Sequence, residues 1–213
     1  MPDIVVVGAG GHAVSMCETL RSAGYSVVAF TGNSPNSTLL GLPVLAQVPS
    51  SHVASGGAVV VAIGDNAVRE RVWIELSRWV PEVQLPSITH PSAIVSPLAL
   101  LGSGTVVLQG AIVGSGAQIG IGCILNTGSI LEHECVMEDF SSLAPGALTG
   151  GRVRIGARSA VSIGATVKHG VSIGSDSVIG ASSYVHTDVP AGVVAYGSPA
   201  RKVRERFQGE TYL

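Results

Sequence analysis

The chain has 213 residues and a formal net charge of −2, with 28 glycines, 4% aromatic and 12% charged residues. This balance gives no reason to expect a nucleic-acid surface or disorder, and no apolar run approaches the roughly 20 residues of a membrane span. The apolar run at residues 4–7 is too short for a signal peptide, and the three cysteines have no CxxC spacing, so we expect a soluble cytoplasmic protein with reduced thiols.

Residues 1–88 are predicted to form a small Rossmann-like α/β domain. A buried strand, a glycine turn, a helix and a second strand follow one another from Asp3 to Phe30, which is the order of a βαβ unit. A second strand, turn and helix follow around Gly64 and Asp65. Both turns are expected at the carboxyl ends of parallel strands, where open α/β sheets bind ligands. The alternative is that they are tight turns without a ligand.

The first glycine turn, GAGGH at residues 8–12, comes close to the dinucleotide-binding fingerprint. Its glycines would let backbone amides at the start of the helix approach an anion. The fingerprint also needs an acidic residue at the end of the second strand, to hold a ribose. Residues 31–33, which read TGN, stand there instead, and NAD binding is therefore disfavoured.

Residues 89–213 are predicted to form a parallel β-helix of hexapeptide repeats followed by a C-terminal tail. Stepping by six from Val95 to Val185 gives sixteen residues, of which fifteen are aliphatic or methionine. A small or modest residue follows four positions after each of them, and this strict period is typical of a parallel β-helix. Three hexapeptides make one coil of 18 residues, so this part supplies about five coils.

Three residues of the repeat need a separate explanation. Cys123 and Cys135 fall on the small-residue position, which makes packing a better explanation for them than catalysis. Thr149 is the polar exception in the inward row, and two glycines follow it. We therefore expect a local irregularity of the coil at Thr149.

His133 stands between two glutamates, and the period turns it outward. Because a coil takes 18 residues, His133 should stack against Gly151 and, two coils on, below His169. Adjacent strands are about 4.8 Å apart, so a glycine amide lies beside the imidazole, as a base and an oxyanion donor would require. His133 and His169 would be about 10 Å apart, too far to share a zinc ion within one chain. From the sequence alone, the alternative to a catalytic base is that His133 and its two neighbouring glutamates form a solvated surface cluster.

Several motifs occur together and in the same order as in one enzyme group: VVVGAGGHA, VAIGDN, THPSAIVSP, LNTGSILEHECVMEDFSSLAPGA and VPAGVVAYGSPARKV. The chain resembles the sialic acid O-acetyltransferases and nucleotide amino-sugar N-acetyltransferases of PglD type. This resemblance implies a homotrimer of left-handed β-helices with acetyl-CoA bound between neighbouring subunits and no metal. It also implies a nucleotide-sugar substrate.

The resemblance also implies roles for residues at matching positions. His133 would be the general base, Glu134 would raise its basicity, and the Gly151 amide would stabilise the oxyanion. The nucleotide sugar would lie against both glycine turns, and acetyl-CoA against the β-helix and the basic tail, where a solvated C-terminal helix is an equal alternative. The expected substrate contacts are Gly10, Gly11, His12, Asn33, Gly64 and Asp65, and the expected acetyl-CoA contacts are Ser142, Ile163, Ala181, Arg201 and Lys202.

Two departures from the family pattern affect substrate and cofactor binding. Ser142 stands where relatives often have a second histidine, and its hydroxyl could donate the same hydrogen bond. Gly32 and Asn33 stand where relatives that use UDP-sugars can carry two acidic residues, which disfavours UDP and leaves GDP, dTDP, CMP or a free sugar acid open.

The expected activity is direct acetyl transfer to a nucleotide-linked amino sugar for bacterial surface-glycan synthesis, with a 4-amino-4,6-dideoxy hexose as the expected sugar. The runner-up is O-acetylation of sialic acid or a related sugar. A non-catalytic hexapeptide protein and a zinc hydratase would also be compatible with a β-helix of this kind.

Overall fold

The computed structural model describes residues 1–34, 37–79 and 83–211. Its first part is an α/β domain in which strands β4, β2, β1 and β5 are parallel, and β3 pairs antiparallel with β4 at the sheet edge. Among the described residues, no helix is long and apolar enough to cross a membrane. The elements are β1 (Asp3–Val7), α1 (Gly11–Ser22), β2 (Ser26–Thr31), β3 (Thr38–Leu39), β4 (Leu42–Leu45), α2 (Ser50–Ala54), β5 (Ala58–Val61) and α3 (Asn66–Trp79).

The central strands of this sheet are apolar because both of their faces are covered. All four residues of β5 are buried, which is typical of a parallel strand with helices on both sides. The turn after β1 requires glycine, since Gly8 has φ +123° and a Cβ there would lie 2.8 Å from the carbonyl oxygen of Ala62. The two glycine turns thus lie side by side at the carboxyl edge of the sheet.

The second part forms the expected left-handed parallel β-helix. Its short strands stack in three faces, here called the first, second and third face, so that every third strand is a neighbour. The first face holds β6 (Ile88–Thr89), β9 (Val106–Val107), β12 (Ile124–Leu125), β15 (Ser142–Leu143), β18 (Ala160–Val161) and β21 (Val178–Ile179). The second holds β7 (Ile94–Val95), β10 (Ile112–Val113), β13 (Ile130–Leu131), β16 (Leu148–Thr149), β19 (Thr166–Val167) and β22 (Tyr184–Val185). The third holds β8 (Leu100–Leu101), β11 (Gln118–Ile119), β14 (Val136–Met137), β17 (Arg154–Ile155) and β20 (Ser172–Ile173).

One residue in every hexapeptide turn has left-handed backbone conformation. From Gly104 to Ser182 every sixth residue has positive φ, and eight of these fourteen residues are glycine. A residue with a side chain costs roughly 1–2 kcal/mol more there than glycine. The six residues that accept this cost are Glu134, Phe140, Arg152, Arg158, Asp176 and Ser182.

The expected irregularity at Thr149 is confirmed. Between β13 and β16 the register pairs Ile130 with Leu148 but does not extend to the next residue pair. The N–H of Glu132 donates to the Thr149 hydroxyl at 3.1 Å instead. The buried threonine therefore changes the strand ladder at the residue before His133.

The basic tail is an antiparallel hairpin, so the alternative of a solvated C-terminal helix is wrong. Strand β23 (Val193–Gly197) extends the first face by pairing with β21, and β24 (Ala200–Glu205) pairs back onto β23. The backbone N–H and C=O groups of β24 bond to those of β23, whereas in a helix they would bond to one another within the segment.

The α/β domain packs on the outer side of the first face. Val106 and Ile124 of that face belong to the same buried cluster as Met16 and Leu20 of helix α1. Polar contacts complete this interface at the start of α3. The amide nitrogen of Asn66 donates to the Ser142 hydroxyl at 3.1 Å, and to two backbone carbonyls of the β-helix.

Arg69 holds the same interface from the next turn of α3. Its side chain is 1% exposed and donates to the carbonyls of Gly122 and Phe140 in the β-helix, at 2.7 and 2.9 Å. It also donates to the carbonyls of Ile63 and Gly64 in the second glycine turn. One guanidinium therefore fixes this turn against the β-helix.

We expect Arg69→Leu to destabilise the protein, because it leaves several buried carbonyls without a donor. The expected loss is about 3 kcal/mol, or a thermal midpoint lower by roughly 6–12 °C. Arg71→Leu on the exposed side of α3 is the matched control and should change the midpoint little. Equal midpoints for the two variants in a thermal melt would contradict the role of Arg69.

Candidate active site

His133 lies in the turn after β13, on the edge between the second and third faces. Its Nδ1 is 3.1 Å from Glu134 Oε2, so Nδ1 is the protonated nitrogen and Nε2 has a lone pair to accept a proton. Glu132 contacts the backbone N–H of His133 through a long bond of 3.4 Å, and not the ring. The geometry thus pairs the imidazole with Glu134.

Glu134 makes this contact from a strained backbone. It occupies one of the left-handed turn positions, with φ 57°, where glycine is the common residue. Its carboxylate also lies 3.6 Å from the guanidinium of Arg152, which occupies the same turn position one coil later. A strained residue that aims a carboxylate at a histidine is a feature of functional sites.

Gly151 stacks against His133 as the 18-residue period predicts. A Cβ added at Gly151 would lie 2.3 Å from Nε2 of His133, so the imidazole occupies the space of the missing side chain. Its φ is outside the left-handed region, and glycine is needed for space alone. Among the hydrogen bonds of the described residues, none uses the Gly151 N–H. An amide donor and an imidazole Nε2 thus lie side by side.

A second cluster lies on a different edge, between the first and second faces. A cavity of about 330 Å³ there is lined by His12 and Gly64 of the α/β domain and by Ser142, Ile163 and Ala181 of the β-helix. These five residues came from two separate expectations, one for the substrate and one for acetyl-CoA. The fold brings them into one cavity, whereas His133 is not among its lining residues.

His12 has a buried ring nitrogen ready for a ligand. Its Nε2 has no hydrogen-bond partner among the described residues. Burial, and then the positive charge of Arg69, lower the pKa of His12 from 6.5 to about 4. The ring is therefore neutral at pH 7 and can accept or donate a hydrogen bond to a molecule in the cavity.

A third cavity opens at the carboxyl edge of the α/β sheet. It has a volume of about 660 Å³ and is lined by Gly10, Gly32, Asn33 and Glu75, among others. Gly11 begins α1 beside it and has open space where its side chain would be. This is the place where α/β sheets bind nucleotides.

Three expected contact residues lie elsewhere. The Asp65 carboxylate accepts the N–H of Val68 at 3.0 Å, and this bond caps the start of α3. Arg201 and Lys202 are exposed on β24 and line a separate cavity of about 280 Å³. Lys202 also pairs with Glu205. Ligand contacts of these three residues stay predictions.

The sequence did not single out Asn66, Arg69 or Glu75. The first two act across the domain interface, and no period relates α3 to the β-helix. Glu75 reaches the nucleotide-sized cavity only because α3 lies along the sheet. Within the described part of the chain, no group of three His, Cys, Asp or Glu side chains is placed to hold a metal ion.

The chain is similar to known sugar acetyltransferases along nearly its whole length. Residues 3–76 match the family model described as PglD N-terminal domain. A GDP-perosamine N-acetyltransferase of Escherichia coli O157:H7 is 32% identical over 149 residues, which are 68% of this chain and 66% of that protein.

Solved structures give the same result. A histidine-to-alanine mutant of the Caulobacter crescentus GDP-perosamine N-acetyltransferase, in complex with CoA and GDP-perosamine, is 33% identical with a TM-score of 0.88; the match covers 96% of this chain and 98% of that chain. The acetyltransferase domain of PglB from Neisseria gonorrhoeae FA1090, in complex with acetyl coenzyme A, is 30% identical with a TM-score of 0.86, covering 94% and 98% of the two chains.

We expect acid to destabilise the wild-type protein more than a His12→Gln variant. The folded-state pKa of His12 lies below its ordinary value, so the unfolded chain takes up the proton first as the pH falls. The stability that neutral His12 preserves is present above pH 6.5 and is lost between pH 6.5 and about 4. At pH 5 this amounts to about 2 kcal/mol.

Thermal melts at pH 7.5 and pH 5 measure this effect. The exposed His169 gives the matched control, because His169→Gln also removes one histidine but from outside the cavity. The wild type and His169→Gln should lose more stability than His12→Gln between the two pH values. Equal losses in all three proteins would contradict a buried neutral His12.

Proposed function

The chain belongs to the hexapeptide-repeat sugar N-acetyltransferases, the acetyl-CoA-dependent family that includes GDP-perosamine N-acetyltransferase, and we propose that its own substrate is a GDP-linked 4-amino-4,6-dideoxy hexose. The observation that carries this proposal is the His133–Glu134–Gly151 arrangement, which supplies a base and an oxyanion donor at adjacent positions. The product would be the N-acetylated nucleotide sugar.

The nucleotide part of the proposal rests on the cavity at the sheet edge. Two relatives that match two thirds or more of this chain, from Escherichia coli O157:H7 and Caulobacter crescentus, are GDP-perosamine N-acetyltransferases, while the PglB acetyltransferase domain matches as much of it without a nucleotide in its name. Gly32 and Asn33 leave no acidic pair at the end of β2, whereas Glu75 brings one carboxylate to the cavity from α3. A carboxylate only accepts hydrogen bonds, and guanine offers two adjacent N–H donors on one edge. Glu75 is therefore suited to guanine.

We also propose a homotrimer, because the described part of one chain leaves an apolar column on the outer surface of the second face partly or fully exposed. Its outward column runs Ile94, Ile112, Ile130, Leu148, Thr166 and Tyr184. Ile94 is 65% exposed, and Leu148 and Tyr184 are also exposed. A contiguous exposed apolar stripe of this kind is typical of a subunit interface.

The two site clusters flank this face. The His133 cluster lies on the edge shared with the third face, and the cavity with Ser142 and Ile163 lies on the edge shared with the first. Three chains packed around their second faces would bring the His133 edge of one chain to the cavity of the next. A solution mass of a single 21.5 kDa chain would contradict this assembly.

The proposed reaction is direct transfer without a covalent enzyme intermediate. The sugar amine attacks the thioester carbonyl, and a new C–N bond forms while Nε2 of His133 takes the proton that the amine loses. The Gly151 N–H stabilises the oxyanion of the tetrahedral intermediate. The intermediate collapses by breaking the C–S bond, and the CoA sulfur receives the proton from His133.

Glu134 and the neutral His12 have supporting roles in this scheme. Glu134 holds the Nδ1 proton and leaves Nε2 free to act as the base. His12 offers its unpartnered nitrogen to substrate or cofactor in the cavity with Ser142. The CoA arm would run along the edge past Ile163 and Ala181, and Arg201 and Lys202 would meet its phosphates further up the helix.

An acetyl-CoA thiol-release assay tests the function. GDP-, UDP- and dTDP-linked 4-amino sugars, CMP-sialic acid and free sialic acid make up the panel, with GDP-perosamine expected as the best substrate. His133→Ala should lower kcat by roughly 10²–10⁴-fold. His169→Ala is the matched control, because it removes an exposed histidine two coils away on the same edge, and it should be nearly as active as the wild type.

Different outcomes would replace the proposal. Thiol release with a sialic acid alone, together with an ester product by mass spectrometry, would assign an O-acetyltransferase. Preference for a UDP- or dTDP-sugar would overturn the guanine assignment. Near-normal turnover by His133→Ala would show that His133 is not the base.

A second prediction follows from the strained backbone of Glu134. We expect Glu134→Gly to keep or raise stability, by about 1 kcal/mol, because glycine adopts φ 57° without cost. The same variant should lower kcat, since Nδ1 loses its partner. Asp176→Gly makes the same backbone change on another edge and also removes a carboxylate, one that pairs with Arg158 instead of a histidine, and it should leave kcat unchanged as long as the Arg158–Glu70 pair holds α3 in place. A Glu134→Gly variant with normal kcat would contradict the orienting role.

A further inference from the structure

Thr149 is the polar exception in a row of inward apolar residues. Its side chain is fully buried inside the β-helix, where the stacked neighbours Leu131 and Val167 are aliphatic. Burying a hydroxyl costs free energy unless it is hydrogen-bonded. The Thr149 hydroxyl is therefore expected to have hydrogen-bond partners inside the β-helix.

The Thr149 hydroxyl replaces a backbone bond beside His133. Elsewhere in the helix, the N–H after an inward residue donates to the carbonyl of the inward residue one coil on, as Asn126 does to Leu143 and Gly150 does to Val167. At Glu132 the N–H donates to Thr149 Oγ1 instead, at 3.1 Å. The hydroxyl therefore sets the backbone that leads into His133.

The same hydroxyl reaches the peptide that carries the proposed oxyanion donor. Thr149 Oγ1 lies 3.6 Å from Cys135 Sγ, and Cys135 Sγ donates to the Gly150 carbonyl at 3.2 Å. Burial raises the pKa of the Cys135 thiol, so the thiol keeps the proton that it donates. The Gly150 carbonyl is thus held toward the interior.

Because the peptide is planar, the orientation of the Gly150 carbonyl also fixes the orientation of the Gly151 N–H. The Gly150 carbonyl and the Gly151 N–H belong to one trans peptide and point in opposite directions. Holding the carbonyl inward directs the N–H outward, toward the side where His133 lies. Without this hydrogen bond, the peptide between Gly150 and Gly151 could rotate more freely than a peptide between two residues with side chains.

We propose that Thr149, acting through Cys135, is a positioning residue for acetyl transfer, which fixes the Gly150–Gly151 peptide and the His133 turn in a single arrangement. This inference rests on the proposed function, since it assigns the direction of the oxyanion donor. Neither residue touches substrate. Their effect is on kcat and not on the affinity for either substrate.

Two pairs of variants test the proposal in the thiol-release assay. Thr149→Val removes the hydroxyl at nearly constant volume, and its matched control is Thr105→Val, a fully buried threonine whose hydroxyl binds the Gly120 carbonyl away from His133. Cys135→Ala removes the thiol, and its matched control is Cys123→Ala, whose Sγ also lies 3.2 Å from a carbonyl, that of Glu138.

Thr149→Val should lower kcat about tenfold, because complete loss of an oxyanion donor costs about 10²–10³-fold and a displaced donor keeps part of its effect. KM for acetyl-CoA and for the nucleotide sugar should stay within about twofold. Cys135→Ala should lower kcat in the same direction, and Thr149→Ser, which keeps the hydroxyl, should recover most of the wild-type rate. Both control variants should keep the wild-type kcat while losing comparable stability.

Normal kcat in Thr149→Val and Cys135→Ala would overturn the proposal, and so would equal kcat losses in the variants and their controls. If Thr149→Val does not fold, Cys135→Ala and Cys123→Ala decide the matter between them. If the wild-type protein acetylates no substrate of the panel, the proposed function is wrong. This result differs from failure of the positioning proposal, because the wild type alone gives it.

Discussion

The 18-residue coil is the constraint on which the rest of the structure depends. Its hydrogen-bond ladder places each residue against those 18 positions away, so a side chain in one turn has a fixed neighbour in the next. His133 and Gly151 meet for this reason alone, although neither belongs to the other's local sequence. The left-handed residue in each turn keeps the period strict, because it closes the corner without adding a residue.

The domain interface adds a second constraint, which acts between segments distant in the chain. Asn66 and Arg69 connect the start of α3 to backbone carbonyls of the β-helix and to Ser142. Arg69 also fixes the second glycine turn at Gly64, which lines the cavity together with His12. The position of the α/β domain is therefore part of the site, since a small shift at α3 would change both walls of this cavity.

Much of this arrangement could be predicted from the sequence, and the part that could not has a physical reason. Periodicity predicted the β-helix, the stacking of His133 on Gly151 and the irregularity at Thr149, because each depends on spacing along the chain. The buried Arg69 depends on contacts between segments that no spacing relates. The tail hairpin was missed because a short basic segment suits a strand or a helix, and only pairing with β21 decides between them. The repeat predicted that Cys135 is a packing residue, but its hydrogen bond to the Gly150 carbonyl depends on how the side chains of two coils are oriented, which no spacing reveals.

The column of left-handed turns also bears on how a repetitive scaffold acquires a unique site. Most of these corners are glycine, and a side chain would find open space at all of those glycines except Gly104 and Gly122, where Trp73 and Phe140 fill the position. A carboxylate at one corner and an arginine at the next, as at Glu134 and Arg152, can be introduced by single substitutions that leave the coil's register unchanged. A reactive group can therefore be added at one turn without a change at the others. The backbone keeps its 18-residue repeat, and only the side chains make one turn different from the next.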